Sequence, residues 1–383
     1  MANVFVTPQI VAREGLRVLK NKLPVTSLVH RDYEAEFRSA KIGDTVTIRT
    51  PPSFSVDTFN PVTGVVTQDI KQGSAQITLE NIFDISIEVT AKDMTLSLDS
   101  FSRTVIEPVM VEFADKIEGY ILGKANALYH MPATTFPNSV ATAAWLDSYL
   151  DLMKVPSNRR WGILGSKSKS DFLGIEKLTL ADSRGDSIAV RDAAIGRVLG
   201  VDYLSSPKVQ RQAAGTLSVT TLAVNNGAGY AAGVSTMNMD AVSVTGATAI
   251  GSTFTIAGVF MQDGVTPQNF VITNAVTAAA NALTGVTFAP ALPVAVADNA
   301  VITVYQTAHA MNLIGDPRGL AFVSVPLEMP IMGARPAEVL SSEGVSVRVV
   351  YDYDPKYKTN KVSFDMLVGA KVIDPRVLAR LPG

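Results

Sequence analysis

Apolar positions change their period several times along this chain, and the changes divide it. Residues 9–22 carry Ile10, Leu16 and Leu19 with charges between them, which predicts a short helix stopped by Pro24. From Gly43 the period shortens to two. Val46 and Ile48 alternate within 45–49, Pro51 and Pro52 end the run, and a loop rich in Pro, Gly and Thr follows. Strand character resumes across 74–90 with Ile77, Leu79, Ile85, Ile87 and Val89. The result is a long two-stranded excursion with few residues to bury it. A lone hairpin is marginal in water, so the excursion is expected to lie against something else.

Helical spacing returns across 101–130, where Pro108 suits a first turn and Met110, Phe113, Ile117, Ile121 and Leu128 follow at helical intervals. A second helix across 141–155 gathers Trp145, Leu146, Tyr149, Leu152 and Met153 on one face. A strand at 160–164, a helix starting at Ser166, a helix near 190–199 and a strand at 201–205 complete an α/β segment. Further on, 320–325 reads as a strand. Residues 344–351 and 362–368 then alternate cleanly (Val345, Val347, Val349; Val362, Phe364, Met366, Val368) and are joined as a hairpin by the charged loop 352–361. The fold class is α+β, without the regular βα alternation of a doubly wound enzyme.

Between these parts lies a block of different composition. Residues 216–308 are a run of 93 containing no Lys or Arg and three acids, Asp240, Asp263 and Asp298. Exposed surface normally needs charge to stay dispersed, so such a block is either shielded or kept in solution by neutral polar groups; its Thr, Ser, Asn and Gly content favours the second. Short β-branched stretches recur between turn residues at 217–224, 241–244, 253–259, 269–273, 285–288 and 300–305. Strands at this spacing, with no helical period between them, predict a small sandwich or barrel inserted into a host whose two halves flank it.

At 383 residues the chain has length for two or three domains. A formal net charge of −2 with 18% charged residues gives no basis for nucleic-acid affinity from bulk charge. The first 41 residues are locally basic, with seven Lys/Arg against four acids, and read as a solvated amphipathic helix. The absence of cysteine excludes disulfides, thiolate metal sites and cysteine nucleophiles. Residues 1–10 show no secretory signal, and the uncharged runs 241–262 and 264–297 are broken by Gly, Pro, Asn and Thr, unlike a membrane-spanning helix. These features imply an aqueous, cytoplasmic setting.

Candidate chemistry is sparse. His30, His130 and His309 are far apart and have no metal-ligand spacing; His130 falls at the end of the long predicted helix, where the dipole favours a cation. Gly227, Gly229 and Gly233 superficially match a dinucleotide fingerprint, but that motif needs a strand before it and a helix after it, and 234–244 reads as strand and turn. Lys167, near Gly162 and Gly165, lacks phosphate-loop spacing. Paired acids stand at Glu34/Glu36, Asp182/Asp186 and Asp352/Asp354 without a calcium-loop pattern, and Arg184-Gly-Asp186 reads as a flexible loop. No motif supports catalysis, and no catalytic, cofactor-binding or metal residue is assigned.

The order of parts resembles the major capsid (coat) protein of tailed double-stranded-DNA bacteriophages, in the branch with a β-barrel insertion domain. Thr253-Phe-Thr-Ile-Ala-Gly258-Val, Asn269-Phe-Val-Ile-Thr273 and Thr287-Phe-Ala-Pro290-Ala-Leu look like successive strands of that insertion. Ser205-Ser-Pro207-Lys-Val209 looks like the way into it, and 347–353 with 364–375 resemble the closing strands of the family. The resemblance implies an N-terminal arm at 1–42, an E-loop at 43–95, and a peripheral domain with a spine helix at 96–140 and 335–383. It also implies an axial domain at 141–215 and 309–334, and the barrel insertion at 216–308. The implied function is a self-assembling, non-enzymatic virion subunit of the icosahedral capsid. It would form pentamers and hexamers, with packaged DNA on the inner face, a separate scaffolding protein, a portal and a decoration protein as partners, and assembly in the host cytoplasm. The arm and E-loop would gain order through neighbouring subunits. The family's Lys–Asn crosslink matches no motif here and is not expected. Two other readings stay open: a tail-tube or adhesin-type β-rich subunit, against which the long helix argues, and an enzyme with an unrecognised carboxylate site.

Overall fold

The structure is a computed structural model that describes residues 13, 15–17, 19, 25–31, 45–50, 58–59, 61, 64–65, 67, 73–90, 106–132, 135–136, 138–179, 195–325, 327–329, 337–342, 345–354, 356–357 and 359–383. It divides into two compact units, residues 1–114 with 320–374 and residues 115–319 with 375–383.

In chain order the strands open with β1 Thr45–Thr50, β2 Gly73–Thr78 and β3 Asn81–Thr90. Helices α1 Glu107–Gly123 and α2 Val140–Leu152 follow, then β4 Trp161–Leu164, α3 Ser166–Leu173 and α4 Glu176–Thr179. Next come β5 Gly196–Val198, β6 Val201–Ser205 and β7 Arg211–Gln212. The neutral block supplies β8 Thr221–Val224, β9 Thr236–Asp240, β10 Thr253–Phe260, β11 Pro267–Ile272, β12 Ala282–Ala289 and β13 Val301–Tyr305. The chain closes with β14 His309–Gly315, β15 Leu320–Val325, β16 Ala337–Ser342, β17 Val345–Asp354, β18 Thr359–Val372 and β19 Leu378–Pro382.

In the first unit, β15, β18, β17 and β16 form a sheet in that order, and β3 also pairs with β18. The alternation seen in the sequence is the burial pattern: Val345, Val347, Val349, Val362, Phe364, Met366 and Val368 are all buried. The β1–β2 hairpin does find partners in its own chain. Ile48 and Ile77 turn inward and cluster with Ala321 and Val323 of β15, so the base of the excursion is packed without a neighbouring subunit. In the N-terminal segment Leu16 and Leu19 are buried while Arg13 and Arg17 are exposed, as an amphipathic helix requires.

In the second unit, β19, β14, β4, β6 and β5 form one sheet, with β7 paired to β14; only β4 and β6 run parallel. We call this sheet and α2 the platform. Ser139 caps α2 in a capping box with Thr142, and the helix lays Leu146, Tyr149 and Leu150 into the sheet's core beside Leu164, Phe172 and Leu381. The fully buried Asn312 ties α3 to the sheet: its Oδ1 accepts from Gly165 N at 2.7 Å and its Nδ2 donates to Ser168 Oγ at 2.8 Å.

Strands β10-β11-β12-β9-β8-β13 close into an all-antiparallel barrel, sealed by β13 against β10 from Thr253↔Tyr305 to Ile256↔Ile302. Alternate residues point inward and fill it; Phe254, Phe270 and Phe288 meet at its centre with ring centroids 5.3–5.5 Å apart. Closure also removes the sheet edges that an uncharged surface could not otherwise protect.

The structure departs from the sequence reading in places. The helix expected across 101–130 is α1 plus a 3-10 turn, Lys124–Ala127, and 101–105 lie outside the described residues. Of the helix expected near 190–199, residues 190–194 lie outside the described residues, and 196–198 are instead β5, turned into β6 by Leu199 and Gly200, both with positive φ (48° and 78°). Two positive φ values are what a tight hairpin turn between twisted strands demands. Within the neutral block 241–244 is turn, and the strand lies just before it in β9, where Met237 and Met239 face inward.

Phe270→Ala is expected to lower the stability of the second unit by about 3–5 kcal/mol, because a central aromatic in a closed barrel leaves a void that cannot collapse. Urea unfolding of wild type and variant measures this.

Candidate functional site

The barrel is joined to the platform at one rim, where β7 leads in and β14 leads out, with His309 and Gln212 as register partners. Next to them is the loop before β10, and Gly251 is its closest approach. At φ +86° an added Cβ would sit 2.6 Å from Gln212 Oε1 and 3.0 Å from Asn126 Oδ1, so glycine is required. Two side chains of the platform reach this loop's carbonyls. Arg380 Nη2 donates to Gly251 O at 2.7 Å, and Gln212 Nε2 donates to Ile250 O at 2.9 Å.

Arg380 lies on β19 opposite Leu313 of β14 and is 0% exposed, the largest fully buried side chain among the described residues. Its remaining contact is Nη1 to Met311 Sδ at 3.8 Å, and among the described residues it has no ion pair. Burial draws its pKa down from the ordinary arginine range to about 10, opposed by Tyr305. It therefore stays a cation at neutral pH, held by a carbonyl dipole rather than a carboxylate. That is a costly arrangement, tolerable because the carbonyl would otherwise be buried unpaired.

A second set of contacts braces the barrel wall. Asn269 Nδ2 donates to Met131 O at 3.0 Å, and Thr253 Oγ1 faces Met131 Sδ at 3.5 Å. Behind Met131, His130 Nδ1 and the Tyr149 hydroxyl are 2.9 Å apart. Burial pushes the Tyr149 hydroxyl above its ordinary range, against a lowering hydrogen bond from Asn269. Between barrel and platform lies a cleft of about 460 Å³, lined by Met131, Pro132 and Trp145 on one side and Phe254, Pro267 and Val304 on the other.

This is a mechanical joint. Among the described residues no three of His, Cys, Asp or Glu converge as a metal site. The three histidines have separate surroundings: the backbone of His30 bridges to β15 in the first unit, and in the second His130 packs on Tyr149 while His309 sits at the joint. The dipole reading of His130 is thereby replaced, since the helix ends before it and its ring is buried. Gly227, Gly229 and Gly233 lie in turns and loops with no helix following, as the sequence indicated. Lys167 pairs with Asp171 one helical turn on, and Asp352 and Asp354 accept backbone N–H groups of their own hairpin. Glu34, Glu36, Asp182, Arg184 and Asp186 lie outside the described residues. Sequence reasoning missed Arg380, Gln212, Gly251 and Asn269. The one available signal was an arginine set among Leu378, Ala379 and Leu381, inside an apolar strand.

Arg380→Ala is expected to leave the Gly251 carbonyl buried without a donor, costing about 1–3 kcal/mol before any loss from the void. Arg380→Met fills the space and removes the buried charge, so its loss should be smaller. Urea unfolding of the two variants measures the order.

No protein-family model matches this chain, and no curated protein matches it by sequence. Solved structures do. One from Mycobacterium phage Che8 matches at 14% identity and a TM-score of 0.51, over 92% of this chain and 89% of its own. The capsid of cyanophage P-SCSP1u matches at 11% identity and a TM-score of 0.46, over 89% of this chain and 84% of its own. The mature capsid of bacteriophage PhiM1 matches at 11% and 0.46, over 89% and 82%. At these identities the likeness is one of fold: over about nine-tenths of its length the chain shares the fold of the Mycobacterium phage Che8 structure.

Proposed function

We propose that this chain is the major capsid protein of a tailed phage, a structural virion protein whose copies build an icosahedral shell around double-stranded DNA. The observation that carries this is the fold shared with the Che8 phage structure across nine-tenths of the chain. Its work is association rather than catalysis. Heterologous contacts between identical subunits close into rings when the rotation closes, which gives pentamers and hexamers, and permanent assemblies bury thousands of Å² per subunit. A net charge of −2 suits such packing, since strong like-charge repulsion would oppose it.

In this reading 1–42 is the arm, 43–95 the E-loop, 96–140 and 335–383 the peripheral domain with α1 as its spine, 141–215 and 309–334 the axial domain, and 216–308 an inserted barrel domain. The seated barrel supports the last assignment: it closes on its own core and is fixed to the platform at one rim. A separate scaffolding protein, a portal and a decoration protein are the further partners, the subunit is made and assembled in the host cytoplasm, and the virion is its destination.

The test is negative-stain microscopy with sedimentation of the purified chain, alone and with the scaffolding protein of its phage. Closed or partial shells, or ring-shaped capsomers, are expected. Uniform tubes or small uncurved oligomers under both conditions would refute the proposal and favour the tail-tube or adhesin reading. Arg13, Arg17, Lys20 and Lys22 would face the lumen, touching DNA or an acidic scaffold segment. Replacing all four by Ala should then slow scaffold-dependent assembly, and unchanged kinetics would remove that role.

A further inference from the structure

We infer that the joint between barrel and platform is a pH-sensitive latch, closed while His309 is neutral and loosened when its imidazole gains a proton. His309 is the first residue of β14, where the chain leaves the barrel, and it is buried at 3% exposure. Its Nδ1 lies 2.8 Å from Thr307 O. A carbonyl only accepts, so Nδ1 carries the hydrogen and Nε2 of the neutral ring is a bare lone pair. That Nε2 is buried with no hydrogen-bond partner among the described residues.

The charged groups that act on it are both cations. Arg211 acts on it from β7 and Arg380 from β19, while the Tyr305 ring of β13 lies 5.2 Å away, centroid to centroid. Among the described residues no carboxylate acts on His309. A proton on Nε2 would therefore create a third cation beside two guanidinium groups, out of reach of water. Burial, then the two arginines, already hold its pKa below the ordinary 6.5. Opening the joint relieves both penalties at once by bringing water to the ring and separating the charges. The contacts that would yield are those beside it, Arg380 to Gly251 O and Gln212 to Ile250 O. The barrel, which holds its own core, would stay folded on its two connecting segments.

The sign follows from the depressed pKa. The folded state binds fewer protons than the unfolded chain between its own pKa and 6.5, so this contribution is complete above 6.5 and is lost as pH falls through the folded value. The test is urea unfolding of the full chain from about pH 7.5 to 5, followed by the fluorescence of Trp145 and Trp161, both platform residues, with His309→Gln and Arg211→Gln beside wild type. Below 6.5 the wild-type unfolding constant should rise relative to that of H309Q, by at most about tenfold per pH unit for one proton. R211Q removes one facing cation at an exposed position and should show a shallower rise than wild type. Parallel curves for wild type and H309Q would overturn the latch. Should H309Q fail to fold, R211Q decides alone, and a curve parallel to wild type overturns it equally.

Discussion

A closed barrel has no sheet edge to offer and this one has almost no charge, so at its rim it is held through polar backbone atoms. The structure meets that constraint by burying a single guanidinium. Arg380 sits inside the platform sheet and spends its reach on the carbonyl of Gly251. Gly251 can be there because it lacks a side chain, and Gln212 takes the next carbonyl. A carboxylate would have been the ordinary partner, but 216–308 has only three acids, of which Asp263 lies at the β10–β11 turn and accepts from its own turn's N–H groups. The absence of charge that makes the barrel surface neutral thus dictates the unusual chemistry of its attachment.

The same constraint bears on the proposed shell. A subunit repeated many times must keep each module in a fixed place, because an angular error in one copy is multiplied around a ring. Buried contacts to carbonyl acceptors at the joint, Asn269 to Met131 O and the Arg380 cation to Gly251 O, are directional and barely screened by salt. They fix the barrel's orientation without placing fields on its outer surface that would repel neighbouring copies.

Much of the fold was legible because its signals are local. The neutral block announced itself by composition, and five of its six strands by β-branched runs; the sixth, β9, was hidden because its inward residues are Met237 and Met239, which carry no strand preference. The C-terminal hairpin was read residue by residue, since one buried face imposes strict alternation. The β5–β6 turn was misread as helix because Leu199-Gly200 lacks the Asn-Gly or Asp-Gly signature, and Leu199 takes a positive φ by force of pairing. The joint was illegible for a different reason. Its parts come from β7, the loop before β10, β14 and β19, and nothing in the sequence near Arg380 says that a carbonyl more than a hundred residues earlier awaits it.

The central claim is that this joint makes barrel and platform one cooperative body. Hydrogen–deuterium exchange of the full chain at neutral pH tests it most directly, comparing amides of β10 and β13 with those of β14 and β19, in wild type and Arg380→Met. The account predicts that in wild type the two sets open together with one free energy, and that in the variant the Gly251 loop and β14 exchange earlier while the barrel core stays protected. Exchange of barrel and platform at unrelated rates in wild type, unaltered by the substitution, would contradict it.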